Sequence, residues 1–95
     1  MPHAVAFVPT KNASRYMQQL SKHWGHKAEA VFDTANSRID FGDETVVTMQ
    51  AAEETLHIDV ACAAERLERF TQVVEDHIKR FAFREELAFS WSQPH

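Results

Sequence analysis

Six histidines in ninety-five residues make metal ligation and acid–base work the first chemistry to consider. His23 and His26 stand three apart, but Gly25 between them is placed to end a helix, so their side chains are expected to diverge. His77 falls inside an apolar stripe, and His23 flanks another. Two helices lying side by side on a sheet would bring His23 and His77 together. A closed transition-metal site wants three or four ligands, and the spacing of His23, His26 and His77 matches no zinc pattern. No metal is therefore expected, nor any other cofactor. His77 is expected as a partly buried imidazole bonded to a backbone carbonyl or a nearby carboxylate. His57 alternates with Thr55 and Asp59 on the polar side of a strand, and His3 and His95 lie at the termini.

Three other features could carry chemistry. Cys62 would stand near a helix N-terminus, where the dipole lowers a thiol pKa if the group is exposed; a small buried residue at a strand-to-helix junction fits it better. Arg84-Glu85-Glu86 could bind a carboxylate or another anion through Arg84, unless Glu85 or Glu86 neutralises that charge. Residues 1–28 hold Lys11, Arg15, Lys22 and Lys27 and no acid, while the rest of the chain carries fourteen acids against six bases. Such a basic segment attracts anions, or else balances the acidic face of a neighbouring helix. The candidate ligand-binding residues are Arg15, Lys22, His23, His26, His77 and Arg84. There is no glycine-rich phosphate loop, dinucleotide fingerprint or nucleophile elbow. A binding domain is favoured over an enzyme.

These residues must be positioned by helices and strands. Ala63, Leu67, Phe70, Val74, His77 and Phe81 are spaced four and three apart, predicting the longest helix, with Val73 and Ile78 widening its apolar stripe. On its outer side Glu65–Arg69, Glu75–Lys79 and Asp76–Arg80 each set an acid one turn before a base. After Phe81 the period changes, and Leu87, Phe89 and Trp91 alternate with small or polar residues as in a half-buried strand.

Upstream, His3–Val8 is a short strand closed by Pro9. Asn12 is a plausible cap for a helix through Ala13, Tyr16, Met17, Leu20 and Trp24, which Gly25 ends. Alternation then marks strands carrying Ala30 and Phe32, Ile39 and Phe41, Val47 and Met49, and Leu56, Ile58 and Val60. Turns separate them at Thr34-Ala35-Asn36, Gly42-Asp43-Glu44 and Glu53-Glu54. The order is β-α-β-β-β-β-α-β. Short turns make the sheet mainly antiparallel, and one wet face puts both helices on the other, an α+β fold. The expected core is Leu20, Trp24, Phe32, Ile39, Phe41, Leu56, Ile58, Leu67, Phe70, Val74, Phe81, Leu87 and Phe89.

Length sets a single domain over residues 1–95. No proline falls between Thr10 and Gln93 to interrupt an element. The apolar run Ala4–Val8 is far too short to span a bilayer, and no secretion signal is visible. A lone cysteine suits a reducing compartment, so the cytoplasm is expected. The net charge of −4 argues against nucleic-acid binding. Edge strands left by the meander predict a homodimer, unless Lys27 and Glu29 on one strand and Arg38 and Asp40 on another guard them.

Two stretches, Ser14–Leu20 through His23-Trp24-Gly25-His26-Lys27 and the run His77-Ile78-Lys79-Arg80-Phe81-Ala82-Phe83-Arg84-Glu85-Glu86-Leu87, resemble a family of small bacterial proteins, the domain of unknown function 2218. The resemblance covers nearly the whole chain and supplies no activity to carry onto residues. It implies a setting in iron acquisition, because similar domains occur beside or fused to flavin-containing siderophore-interacting reductases. The expectation is a small binding or accessory domain serving siderophore or iron metabolism, with such a reductase as partner and an anionic small ligand. The alternatives are a homo-oligomeric interaction module and, third, a histidine-centred metal-binding protein or enzyme.

Overall fold

The structure, a computed structural model, describes residues 2–93; His95 lies outside them. Seven elements follow one another: β1 (His3–Pro9), α1 (Ala13–Trp24), β2 (Glu29–Phe32), β3 (Asn36–Asp40), β4 (Val46–Ala51), β5 (Thr55–Ala61) and α2 (Ala64–Phe81). The strands form one antiparallel sheet in the order β1-β5-β4-β3-β2. The eighth element of the expected order is reduced to one antiparallel bridge. Val5 N donates to Ser92 O at 2.8 Å and Ser92 N to Val5 O at 2.9 Å, outside β1. Leu87, Phe89 and Trp91 still alternate half-buried against exposed neighbours.

Side chains alternate across each strand, so one face collects Ala4, Ala6 and Val8 from β1, Ile39 from β3, Val47 and Met49 from β4, and Leu56, Ile58 and Val60 from β5. All are buried, and both helices cover this face. α1 packs on β2 to β5, and α2 on β1 and β5. α1 buries Ala13, Tyr16, Met17, Leu20, Ser21 and Trp24.

α2 is turned a little from the predicted stripe. Its buried line is Leu67, Thr71, Val74 and Ile78, while Phe70, Val73, His77 and Phe81 are half-buried. The cause is the shared face: the flank bearing Phe70, His77 and Phe81 packs sideways on α1, with Trp24 5.0 Å from His77 and 6.0 Å from Phe70. Phe41, Leu87 and Phe89 likewise stand at the margin of the core, while Phe32, at the end of the edge strand β2, is half-buried and does not pack against it.

Other local expectations are corrected. Gly25 ends α1 with φ −60°, in the right-handed region. A Cβ there would stand 3.2 Å from Ser21 O and 3.4 Å from Lys22 O, a tight fit against the last turn of α1, and the backbone does not need the left-handed region that favours glycine. The left-handed backbone occurs at Gly42, Asp43 and Glu44, with φ of 76°, 48° and 62° in the β3–β4 turn. Of the three helical ion pairs, Glu75–Lys79 forms at 2.7 Å; Asp76 instead accepts from Gln72 Nε2 at 2.9 Å. Among the described residues the other acid–base contacts are the Arg38–Asp40 pair and the hydrogen bond between His3 Nδ1 and Asp59, so no base of α1 pairs with an acid of α2. Arg38 and Asp40 belong to β3, an interior strand, and guard no edge. Among the described residues no helix is long and apolar enough to cross a membrane.

One polar link crosses the core. Ser21 Oγ donates to Met17 O at 2.7 Å and lies 2.6 Å from Ser37 Oγ, both residues being buried. It ties α1 to β3.

Candidate functional site

The start of α1 and the end of α2 meet over a hollow of about 280 Å³ lined by Asn12, Arg15, Tyr16, Phe81, Phe83, Arg84 and Glu85. The chain turns back after Phe81, with Ala82 N donating to Ile78 O and Glu85 N to Ala82 O. Buried Ala82 pins this turn to the core. Arg15 projects from the exposed side of α1, one residue before buried Tyr16. Two guanidinium groups sixty-nine positions apart are thereby brought to one place.

Glu85 does not neutralise Arg84. Its carboxylate accepts from Thr10 Oγ1 at 3.0 Å, from Asn12 Nδ2 at 2.9 Å and from the Tyr16 hydroxyl. Asn12 thus precedes α1 without capping it through its side chain. Its own N–H donates to Thr10 Oγ1 at 3.1 Å. The Tyr16 hydroxyl and the Asn12 amide hold the Glu85 carboxyl below the usual range. Burial and the neighbouring Glu85 push the Tyr16 phenol up. The Arg84 guanidinium lies 5.4 Å from the centre of the exposed Phe83 ring, and neither Arg15 nor Arg84 has an ion-pair partner among the described residues. The hollow therefore offers two free cations, one fixed anion and aromatic walls.

The histidines fall into a second group. His23 and His77 do meet, with ring centres 5.3 Å apart. His77 Nδ1 lies 2.8 Å from Val73 O; a carbonyl only accepts, so Nδ1 carries a proton and donates it there. His26, exposed in the turn after α1, makes no ring contact with either. Among the described residues no three of His, Cys, Asp and Glu come together to hold a metal ion. Lys22 is exposed two turns beyond Arg15, on the same side of α1. Cys62 is buried just before α2, and burial pushes its thiol pKa up, against the direction an exposed helix N-terminus would give.

Asn12, Tyr16, Phe83 and Glu85 were absent from the candidates read from the sequence. Tyr16 looked like one more residue of an apolar stripe. Glu85 looked like the partner of its neighbour, because a sequence cannot show that residues 10–16 arrive with three donors.

The family model described as "Uncharacterized protein conserved in bacteria (DUF2218)" matches residues 5–92. The chain belongs to the DUF2218 family. Among solved structures, this DUF2218 chain is similar to PA4090 from Pseudomonas aeruginosa, determined by NMR. The identity is 32%, the match covers 97% of this chain and 96% of that one, and the TM-score is 0.80. The family is uncharacterised, so membership brings the fold and no activity. No curated protein matches the chain.

Proposed function

We propose that this DUF2218 protein is a small binding or accessory domain that takes the acidic end of an aromatic ligand between Arg15 and Arg84. One observation carries this reading. Both guanidinium groups line one hollow with no carboxylate partner among the described residues, while Glu85 is engaged by Thr10, Asn12 and Tyr16. Arg84 keeps its planar donors for a carboxylate or a catecholate, and Phe81 and Phe83 supply apolar wall for a ring. A volume of about 280 Å³ stands at the lower limit for small-molecule sites, so one ring with its acidic group fits and a whole chelate does not. The family resemblance supports iron acquisition as the setting, with an aryl-acid arm of a ferric siderophore as the ligand and a flavin-containing reductase as the protein it serves.

The test is a titration of the ¹⁵N-labelled protein with 2,3-dihydroxybenzoate, its iron(III) complex and inorganic phosphate, at low and high salt. The expected result is movement of the Arg15, Tyr16 and Phe83–Glu85 amides with the aryl acids, weakening with salt. Arg15→Gln combined with Arg84→Gln should weaken binding at least about tenfold, the loss of one charge-assisted contact. No shift with any of the three, in either salt, would remove this reading and leave the interaction-module and histidine-centred alternatives. Co-purification with a flavin reductase tests the setting separately.

A further inference from the structure

The two edges of the sheet are treated differently. In an antiparallel ladder, residues that bond one neighbour alternate with residues whose N–H and C=O point the other way. Even-numbered residues of β1 bond β5, continued by Thr10 N to Glu54 O at 3.0 Å, and odd-numbered ones face outward. On that edge Ser92 takes both polar groups of Val5. The opposite edge is β2. Its hairpin closes through Asp33 N to Asn36 O at 2.9 Å, so Glu29 and Val31 share that parity and bond β3. Ala30 and Phe32 therefore turn their N–H and C=O outward, and no described segment pairs with them.

The side chains along this edge carry a pattern of their own. Glu29, Val31 and Asp33 all lie on the face away from the helices, and Val31 is 70% exposed. Asp33 Oδ1 accepts from the amides of Ala35 and Asn36, both at 2.8 Å, which fixes the carboxylate in place. Other charges nearby are Lys27 in the preceding turn and the Arg38–Asp40 pair on β3 at 3.6 Å. Beside this row a hollow of about 710 Å³ runs from Val31 and Asp33 across Arg38, Thr48 and Gln50 to His57.

We propose that the β2 edge docks an extended segment of another protein as a sixth, antiparallel strand. That segment carries a β-branched apolar residue against Val31, with a basic residue two positions to each side, against Glu29 and Asp33. Ala30 and Phe32 supply the backbone bonds, and the alternate side chains supply the selectivity. Charge argues for a foreign basic strand over a second copy of this chain. The self-pairing that sets Val31 on Val31 of a second copy also sets Glu29 opposite Asp33 twice, and like charges directly opposed destabilise a ladder.

The experiment uses the intact protein and a capped peptide, Ser-Thr-Lys-Thr-Val-Thr-Lys-Thr-Ser, followed by amide shifts and hydrogen exchange. The expected result is slowed exchange at Ala30 and Phe32, with the largest shifts over residues 29–33. A peptide with Glu in place of both Lys should bind about tenfold more weakly, as expected for two cross-strand pairs changed from opposite to like charge. Ala30→Pro removes one outward N–H and should abolish protection at Phe32, because proline is tolerated on an edge but cannot donate. Should Ala30→Pro fail to fold, Glu29→Gln with Asp33→Asn keeps the turn-forming side chain and should erase the preference between the two peptides. Shifts confined to another surface, or equal binding of both peptides to the unaltered protein, would overturn the proposal. So would protection of Ala30 and Phe32 that rises with protein concentration without peptide, since the occupant would then be a second copy.

Discussion

Tyr16→Phe removes one hydroxyl from a residue that is 5% exposed and donates to an ionised carboxylate. A hydrogen bond to a charged group contributes about 1.5–3 kcal/mol net. Glu85 is only half-buried and keeps Thr10 and Asn12, so water can reach the vacated position, and about 1–2 kcal/mol is the expected loss. For a domain of this size that lowers Tm by roughly 4–15 °C. The assay is reversible urea unfolding of Tyr16→Phe, Glu85→Gln and the double variant, read as a cycle. The coupling should be at least about 0.5 kcal/mol at pH 7. The pH dependence carries a second check. The folded Glu85 pKa is lowered from 4.5, so its contribution is present above 4.5 and is lost as pH falls through the lower folded value. The Tyr16 pKa is raised from 10.0, so its contribution is present below 10.0 and lost as pH rises through the folded value. The difference between wild type and Tyr16→Phe should thus shrink at both extremes. A coupling within error of zero at pH 7, or a difference unchanged at pH 3, would refute this account of the site.

Three further outcomes are expected. Leu67→Ala should cost about 2–5 kcal/mol, since Leu67 is 2% exposed beneath α2; a loss below about 0.5 kcal/mol in urea would remove this position from the core. Cys62 should resist a thiol reagent in the native protein and react fully in guanidinium, because it is buried and its pKa is raised; rapid native labelling would contradict that placement. Elemental analysis of the purified protein should find no stoichiometric zinc or iron, and one metal per chain lost on His77→Ala would promote the histidine-centred alternative.

The order of elements was legible because each obeys one period over several residues. Leu56, Ile58 and Val60 alternate and are all buried, and Leu67 and Val74 recur at helical spacing. The orientation of α2 was less legible. Periodicity locates an apolar arc, but which part of it meets the sheet depends on where α1 lies. Thr71 was overlooked for its hydroxyl, which α2 satisfies internally by donation to Glu68 O at 2.8 Å. Arg15 and Arg84 could be named as candidate anion-binding residues, and the change of period after Phe81 marked the end of α2. That Glu85 leaves Arg84 unpaired, and that the turn sets Arg84 beside Arg15, are tertiary facts. The bond from His77 to a backbone carbonyl was foreseen, since a half-buried imidazole in an apolar stripe needs a partner within reach of its own helix.

The hydroxyl contact between Ser21 and Ser37 has a bearing on how the chain avoids misassembly. Apolar alternation forbids a strand from sliding by one position, because that would turn Ile39 to water, but it is blind to a slide of two. After such a slide β3 would still present an apolar row to α1, with Ala35 or Ile39 brought beneath Ser21. Ser21 could keep its bond to Met17, but the contact between the two hydroxyls would be lost in either direction. The slide that brings Ala35 beneath Ser21 carries Ser37 to the buried place of Ile39, at a cost of about 1–3 kcal/mol. Two small polar atoms in an otherwise oily layer thus act as a proofreading mark, separating the correct alignment from the neighbours that hydrophobicity alone would accept.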